Sequence, residues 1–215
     1  MARTLPDRQR RGIGLALLAA PAWLTAGCGL ARGPRQDFHV LRDGGASTPA
    51  AAPTAAPIDK VLLVAASAPP GLYDTDRMVF SSDGRSRSYF QFGYWSERPA
   101  QSLQALATAR LASAQRFREV VSSTSGVRGD LLLSLRLDEL YLDDSVTPAA
   151  VRLALSAELI DWRQRTLLAR RQLQRVSVVS QRDAGELAAC AGRALGMLLD
   201  ELVPWVASSA SRTPA

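Results

Sequence analysis

Few side chains in this chain of 215 residues stand where they could do chemistry. The one whose surroundings define a reaction is the Cys28 thiol, preceded by Leu24-Thr25-Ala26-Gly27. A thiol placed after small residues at the end of an apolar stretch suits diacylglyceryl transfer, after which a peptidase cuts just before the modified cysteine. The stretch itself fits that use. Arg3, Arg8, Arg10 and Arg11 form a positive start, and Gly12 to Leu24 form an apolar segment, the pattern of an export signal. As a helix that segment would span about 20 Å at ~1.5 Å per residue, short of the ~30 Å hydrocarbon core of a bilayer. It reads as a signal, with Cys28 the expected lipidation site and covalent lipid the only expected prosthetic group.

The other candidates point away from catalysis. His39 is the only histidine, and it lies beside a Pro- and Ala-rich stretch close to the anchor. The expectation is therefore a folded body without a histidine-dependent triad or a multi-histidine metal site. Asp74 and Asp76, and the pair Asp143-Asp144, fall in expected loops and read as solvated carboxylates. The glycines form neither GxGxxG nor GxxxxGK[ST], so phosphate cradling has no support. Cys190 sits in an apolar helical pattern and reads as a small buried hydrophobe. With Cys28 consumed by lipid, no intrachain disulfide is available. The expectation is a non-enzyme with no metal site.

Binding has one visible candidate. Tyr89, Phe90, Phe92, Tyr94 and Trp95 crowd one segment, and along a strand they must divide between two faces. One face can enter a core and the other can meet a partner, so Tyr89, Phe92, Tyr94 and Trp95 are the candidate partner-binding residues.

The elements that must position these groups follow from periodicity. Phe38 to Arg42 reads as a short first strand. Asp43 to Pro57 has a composition that cannot bury a core and reads as a mobile linker. Val61 to Val64 is a continuous apolar run expected to form a buried strand. Met78 to Ser81 and Ser88 to Trp95 flank Ser82-Asp83-Gly84-Arg85 as a hairpin. Ser96 is expected to cap a helix with Pro99 in its first turn, and Phe117 to Val121 reads as a strand after it. From Leu131 the leucines alternate, Val151 to Leu159 repeat the pattern, and Leu167 to Val179 complete an antiparallel meander joined at Trp162 to Arg165. Asp183 and Glu186 form a capping-box signature for a second helix ending near Trp205.

The expected fold class is α/β in the α+β sense, a single two-layer domain with a mainly antiparallel sheet and two helices packed on it. The expected organisation is a signal peptide at 1–27, a lipidated tether at 28–57 with a strand near 38–42, a folded domain at 58–207 and a flexible tail at 208–215. The full chain carries +6, half of it from the arginines of the signal net of Asp7, so the cleaved chain keeps only about +3. The arginines are scattered and do not interleave with aromatics, which argues against nucleic acid as a partner.

Three passages taken together resemble the ABC-type transport auxiliary lipoproteins: Pro70 to Phe80 (PGLYDTDRMVF), Tyr94 to Pro99 (YWSERP) and Phe117 to Val121 (FREVV). The resemblance covers about Phe38 to Val206. It departs from the family pattern at Tyr94, where Arg is usual, and at Arg98, where the first of two prolines is usual. The resemblance implies a periplasmic, lipid-anchored, non-enzymatic subunit. It would work beside an ABC permease, its ATPase and a substrate-binding protein of the mammalian-cell-entry type in lipid transport between membranes, with homo-oligomerisation also open. Gly29 in place of Asp after the anchor cysteine favours the periplasmic face of the outer membrane. The rival expectation is a general envelope-assembly or secretion-associated lipoprotein that holds a membrane-protein partner.

Overall fold

The computed structural model describes residues 36–45, 56–69 and 71–212. Eight strands and two helices follow in the order β1 (Asp37–His39), β2 (Ile58–Ser67), β3 (Arg77–Ser81), β4 (Ser88–Trp95), α1 (Pro99–Ser113), β5 (Phe117–Ser122), β6 (Leu131–Asp143), β7 (Ala150–Asp161), β8 (Thr166–Val178) and α2 (Ala184–Ser211).

The meander is present. Strand β7 pairs antiparallel with β6 on one side and β8 on the other over almost their full lengths, with Leu135 opposite Ala157 and Leu155 opposite Leu173. The rest of the sheet is mixed. Strand β2 runs parallel to both β5 and β6, β3 runs parallel to the end of β6, and β1 runs parallel to β4. Strand β6 is the junction: beyond its pairing with β7, its first half meets β2 and its last two residues meet β3. Val61, Leu62, Leu63 and Val64 of β2 are all buried, because strands flank them on both edges and side chains cover both faces.

Both helices share one core with the sheet. Leu131, Leu133, Leu135, Leu155 and Leu159 pack with Leu103 and Leu111 of α1 and with Leu187, Leu198 and Leu202 of α2. The opposite face of the meander carries Arg136, Arg152 and Arg170 beside Asp138, Asp143 and Glu158. Period-two leucines thus divide an apolar face from a charged one, as the alternation requires.

The helix ends differ from expectation in two ways. Arg98, not Ser96, stands at the N-cap of α1, and no side chain caps it. Pro99 at the first helical position has its φ preset and no N–H to satisfy, while the Ser96 N–H donates to the His39 carbonyl at 2.8 Å and ties the chain to β1. Helix α2 starts as expected, with the Asp183 carboxylate accepting the Glu186 N–H at 2.8 Å. It then continues past Pro204 to Ser211, because Val206 and Ala210 prolong the buried face of Leu199 and Leu202.

The expected linker also has a docked beginning. The Gly44 N–H donates to the Gly192 carbonyl at 2.9 Å, and Asp43 pairs with Arg110 of α1. A Cβ on Gly196 would lie 1.9 Å from the Gly45 nitrogen, and one on Gly44 would lie 2.7 Å from the Gly192 carbonyl carbon. Glycine meets glycine where this first described segment, the ribbon of residues 36–45, crosses α2, and no side chain separates the two backbones. Composition suggests a linker because it counts only what side chains can bury.

Candidate partner-binding surface

Cys28 lies outside the described residues, and the described chain begins at Gln36. From there the ribbon alternates strictly. His39, Leu41 and Asp43 turn inward, with Leu41 buried and Asp43 held by Arg110 at 2.7 and 2.9 Å. Phe38, Val40 and Arg42 turn outward, with 62% of Phe38 and 51% of Val40 exposed. Inward residues fasten the ribbon, leaving two large apolar side chains on its free face. Beside them, Ala188, Ala189 and Gly192 of α2 are too small to fill the space, and a shallow groove of about 370 Å³ runs between helix and ribbon.

The four aromatic candidates of β4 do not form one surface. Trp95 is 3% exposed and belongs to the core, which corrects its assignment as a partner-binding residue. The register of β4 against β3 shifts between Arg77 and Val79, and such an irregularity breaks simple alternation of side chains. Tyr89 is half-buried with the Arg77 guanidinium 4.2 Å from its ring centre. Phe92 is half-buried. Tyr94, also half-buried, reaches across the β1–β4 pairing to Phe38, with ring centres 5.7 Å apart. Tyr94 therefore joins the ribbon surface that sequence reasoning passed over; the alternation in Phe38 to Asp43 was the available signal.

Three of the four carboxylate candidates are engaged by arginines, while Asp76 accepts from the Thr75 hydroxyl at 3.4 Å. Asp74 pairs with Arg98 at 3.2 Å, and Asp144 pairs with Arg182 at 2.6 Å. Burial pushes the Asp143 carboxyl up, but hydrogen bonds from Ser145 and Arg152 outweigh it, so Asp143 sits below the usual carboxylate value. Among the described residues no group of three or more His, Cys, Asp or Glu is placed to hold a metal ion. No described helix is long and apolar enough to cross a membrane.

Cys190 is fully buried in α2, and burial pushes its thiol pKa up. Thiolate is the reactive form, so the native protein should react with a thiol reagent at pH 8 at least ~100-fold more slowly than the denatured chain. A reaction time course followed by absorbance checks this, and comparable rates would show that the α2 face opens readily.

The model of the ABC-type transport auxiliary lipoprotein component matches residues 43–203. Among solved structures, the chain is similar to protein XCC0632 from Xanthomonas campestris, of the family-model DUF330, with a TM-score of 0.70 and 18% identity over 80% of this chain and 97% of that one. It is also similar to an uncharacterised protein, with a TM-score of 0.62 and 12% identity over 80% of this chain and 99% of that one. At these identities the likeness shows the fold. A search of curated proteins returns no significant match.

Proposed function

The chain belongs to the ABC-type transport auxiliary lipoprotein family, and from that premise we propose that it is a non-catalytic, lipid-anchored periplasmic subunit of an ABC-driven system moving lipid between envelope membranes. The observation that carries the reading is the coincidence, in one chain, of the family match over residues 43–203 with a cysteine at the end of an export signal. Diacylglycerol on Cys28 would hold the domain at the periplasmic face of the outer membrane. The energy for transport would come from an ATPase on the far side of the inner membrane, leaving this subunit to dock and position. The proposed partners are an ABC permease, its ATPase and a mammalian-cell-entry-type binding protein.

The arrangement of charge supports a docking role. The open face of the meander pairs Arg136, Arg152 and Arg170 with Asp138, Asp143 and Glu158, so these groups do not concentrate one sign of charge. Purification of the lipidated protein from crosslinked envelopes, with subunits identified by mass spectrometry, should recover the permease, ATPase and mammalian-cell-entry-type protein. Recovery of barrel-assembly or secretion components without a transport subunit would overturn the assignment.

A further inference from the structure

We infer that the outward face of the ribbon, Phe38 and Val40 with Arg42 beside them, rests on the lipid bilayer and fixes which side of the domain faces the membrane. The inference rests on the reading of Cys28 as the anchor, and goes beyond it by giving the anchored domain an orientation.

Three observations converge. Phe38 and Val40 are among the most exposed large apolar side chains of the described chain, at 62% and 51%, and their spacing on an extended segment points them the same way. The ribbon is the part of the described fold nearest the anchor along the chain: from Cys28 to Gln36 the backbone can span at most about 28 Å, at roughly 3.5 Å per residue. A domain on so short a tether must present some nearby face to the bilayer. Charge is the third observation. Arg42 of the ribbon is exposed, the half-exposed Arg193 of α2 stands beside Gly44, and Arg32 and Arg35 precede the ribbon in sequence; apolar side chains with arginines beside them suit an interface with anionic headgroups over an apolar interior.

The ribbon is built to keep these side chains outward. Leu41 is buried behind them, Asp43 is held by Arg110, and the Ser96 N–H holds the His39 carbonyl. Phe38 cannot turn inward without dismantling that register, and its ring already leans on Tyr94 at 5.7 Å. An aromatic ring held at the surface by a fixed backbone loses little further freedom on entering a bilayer interface.

The rival orientation would use the β7–β8 turn, where Trp162 is 38% exposed beside Arg163 and Arg165. Strand register places that turn at the Leu131 end of β6, whereas β3 and the β1–β4 edge lie toward the Asp143 end. The two surfaces therefore make separable predictions.

The test uses the full-length, lipidated protein reconstituted in vesicles of phosphatidylethanolamine and phosphatidylglycerol, with a polarity-sensitive fluorophore on Val40→Cys or, separately, on Gln164→Cys. Cys190 is buried and stays unlabelled in the native protein. Flotation and mass spectrometry of each sample report the anchor independently. The expected result is a blue shift of the label at position 40 and at least threefold stronger quenching by brominated lipid than at position 164. Phe38→Glu in the Val40→Cys background should reduce that quenching severalfold while flotation is unchanged. An unquenched label at position 40 in floating protein overturns the inference and leaves the anchor intact. Stronger quenching at position 164 also overturns it, in favour of the turn. A label at position 40 that is shielded only after a protein partner is added shows that the ribbon face docks protein, not lipid. Failure to float, with unmodified Cys28 in the mass spectrum, removes the premise itself.

Discussion

Cys28→Ala is expected to release the protein from the membrane: in fractionated cells most of it should move from the sedimenting envelope to the soluble fraction or remain as the uncleaved precursor. The size of the effect follows from the chemistry of attachment. Each buried CH₂ of an acyl chain contributes about 0.8 kcal/mol, and two chains hold stably where one holds only reversibly. Nothing else in the described chain replaces that contribution, since no described helix is suited to crossing a bilayer and the ribbon offers only two apolar side chains. Membrane association should therefore fall by at least ~100-fold. Sedimentation with quantitative blotting, after a high-salt wash to strip charge-held protein, measures it. Cleaved Cys28→Ala protein that still sediments with its parent after the wash would show that a protein partner, not lipid, holds the domain; uncleaved precursor, told apart by its larger mass on the blot, stays with the membrane through its apolar signal. The partners recovered from crosslinked envelopes should be lost together with the anchor.

The elements were unequally legible in the sequence. The meander was readable because Leu131, Leu133, Leu135 and Leu137 record in their spacing which face is covered, and Asp183 with Glu186 announced the start of α2 three residues apart. Those signals are local. The parallel pairings of β2 with β5 and β6, and of β1 with β4, join segments distant in sequence, and no strand carries its partner's address in its own pattern. Trp95 was misplaced because the candidate set took both parities of the strand, Tyr89 and Trp95 with Phe92 and Tyr94, and what buries Trp95 comes from elements distant in sequence. The family pattern was legible in its three short motifs, whereas the exposed side of the ribbon emerged only once the inward side had partners.

The second large effect is expected at Gly196. Gly196→Ala places a Cβ 1.9 Å from the Gly45 nitrogen and 2.4 Å from its Cα, distances that backbone cannot accommodate by side-chain adjustment. Gly192→Ala is milder, with its Cβ 3.0 Å from the Arg42 carbonyl oxygen. Undocking exposes Leu41, worth about 1.5–3 kcal/mol, and breaks the Gly44 hydrogen bond, worth about 1 kcal/mol. It also loosens the Asp43–Arg110 pair, while regained backbone freedom offsets part of the loss. A net cost of ~2–3 kcal/mol lowers Tm by about 4–12 °C for a domain of this size. The local signature is sharper. Trypsin should cut after the exposed Arg42 at least tenfold faster in Gly196→Ala, and by a smaller factor in Gly192→Ala, under conditions where the rest of the domain stays intact. Met197→Ala, on the solvent side of the same helix, should leave both rate and Tm near the parent. Parental proteolysis and Tm in Gly196→Ala would show that the ribbon and α2 separate readily in solution.

That glycine-to-glycine crossing also sets an order of events. On the proposed export route the chain would emerge from its N-terminal side, so Cys28 and the ribbon would appear long before Gly192 and Gly196. Until α2 arrives, the ribbon has only the β4 edge and Arg110 of α1 to hold it. On that route the modifying enzymes would reach Cys28 before α2 is delivered, and this last helix is the one that closes over the ribbon. Fastening against α2 would then be the terminal act of biogenesis, and a chain truncated before Gly192 would lack that closure.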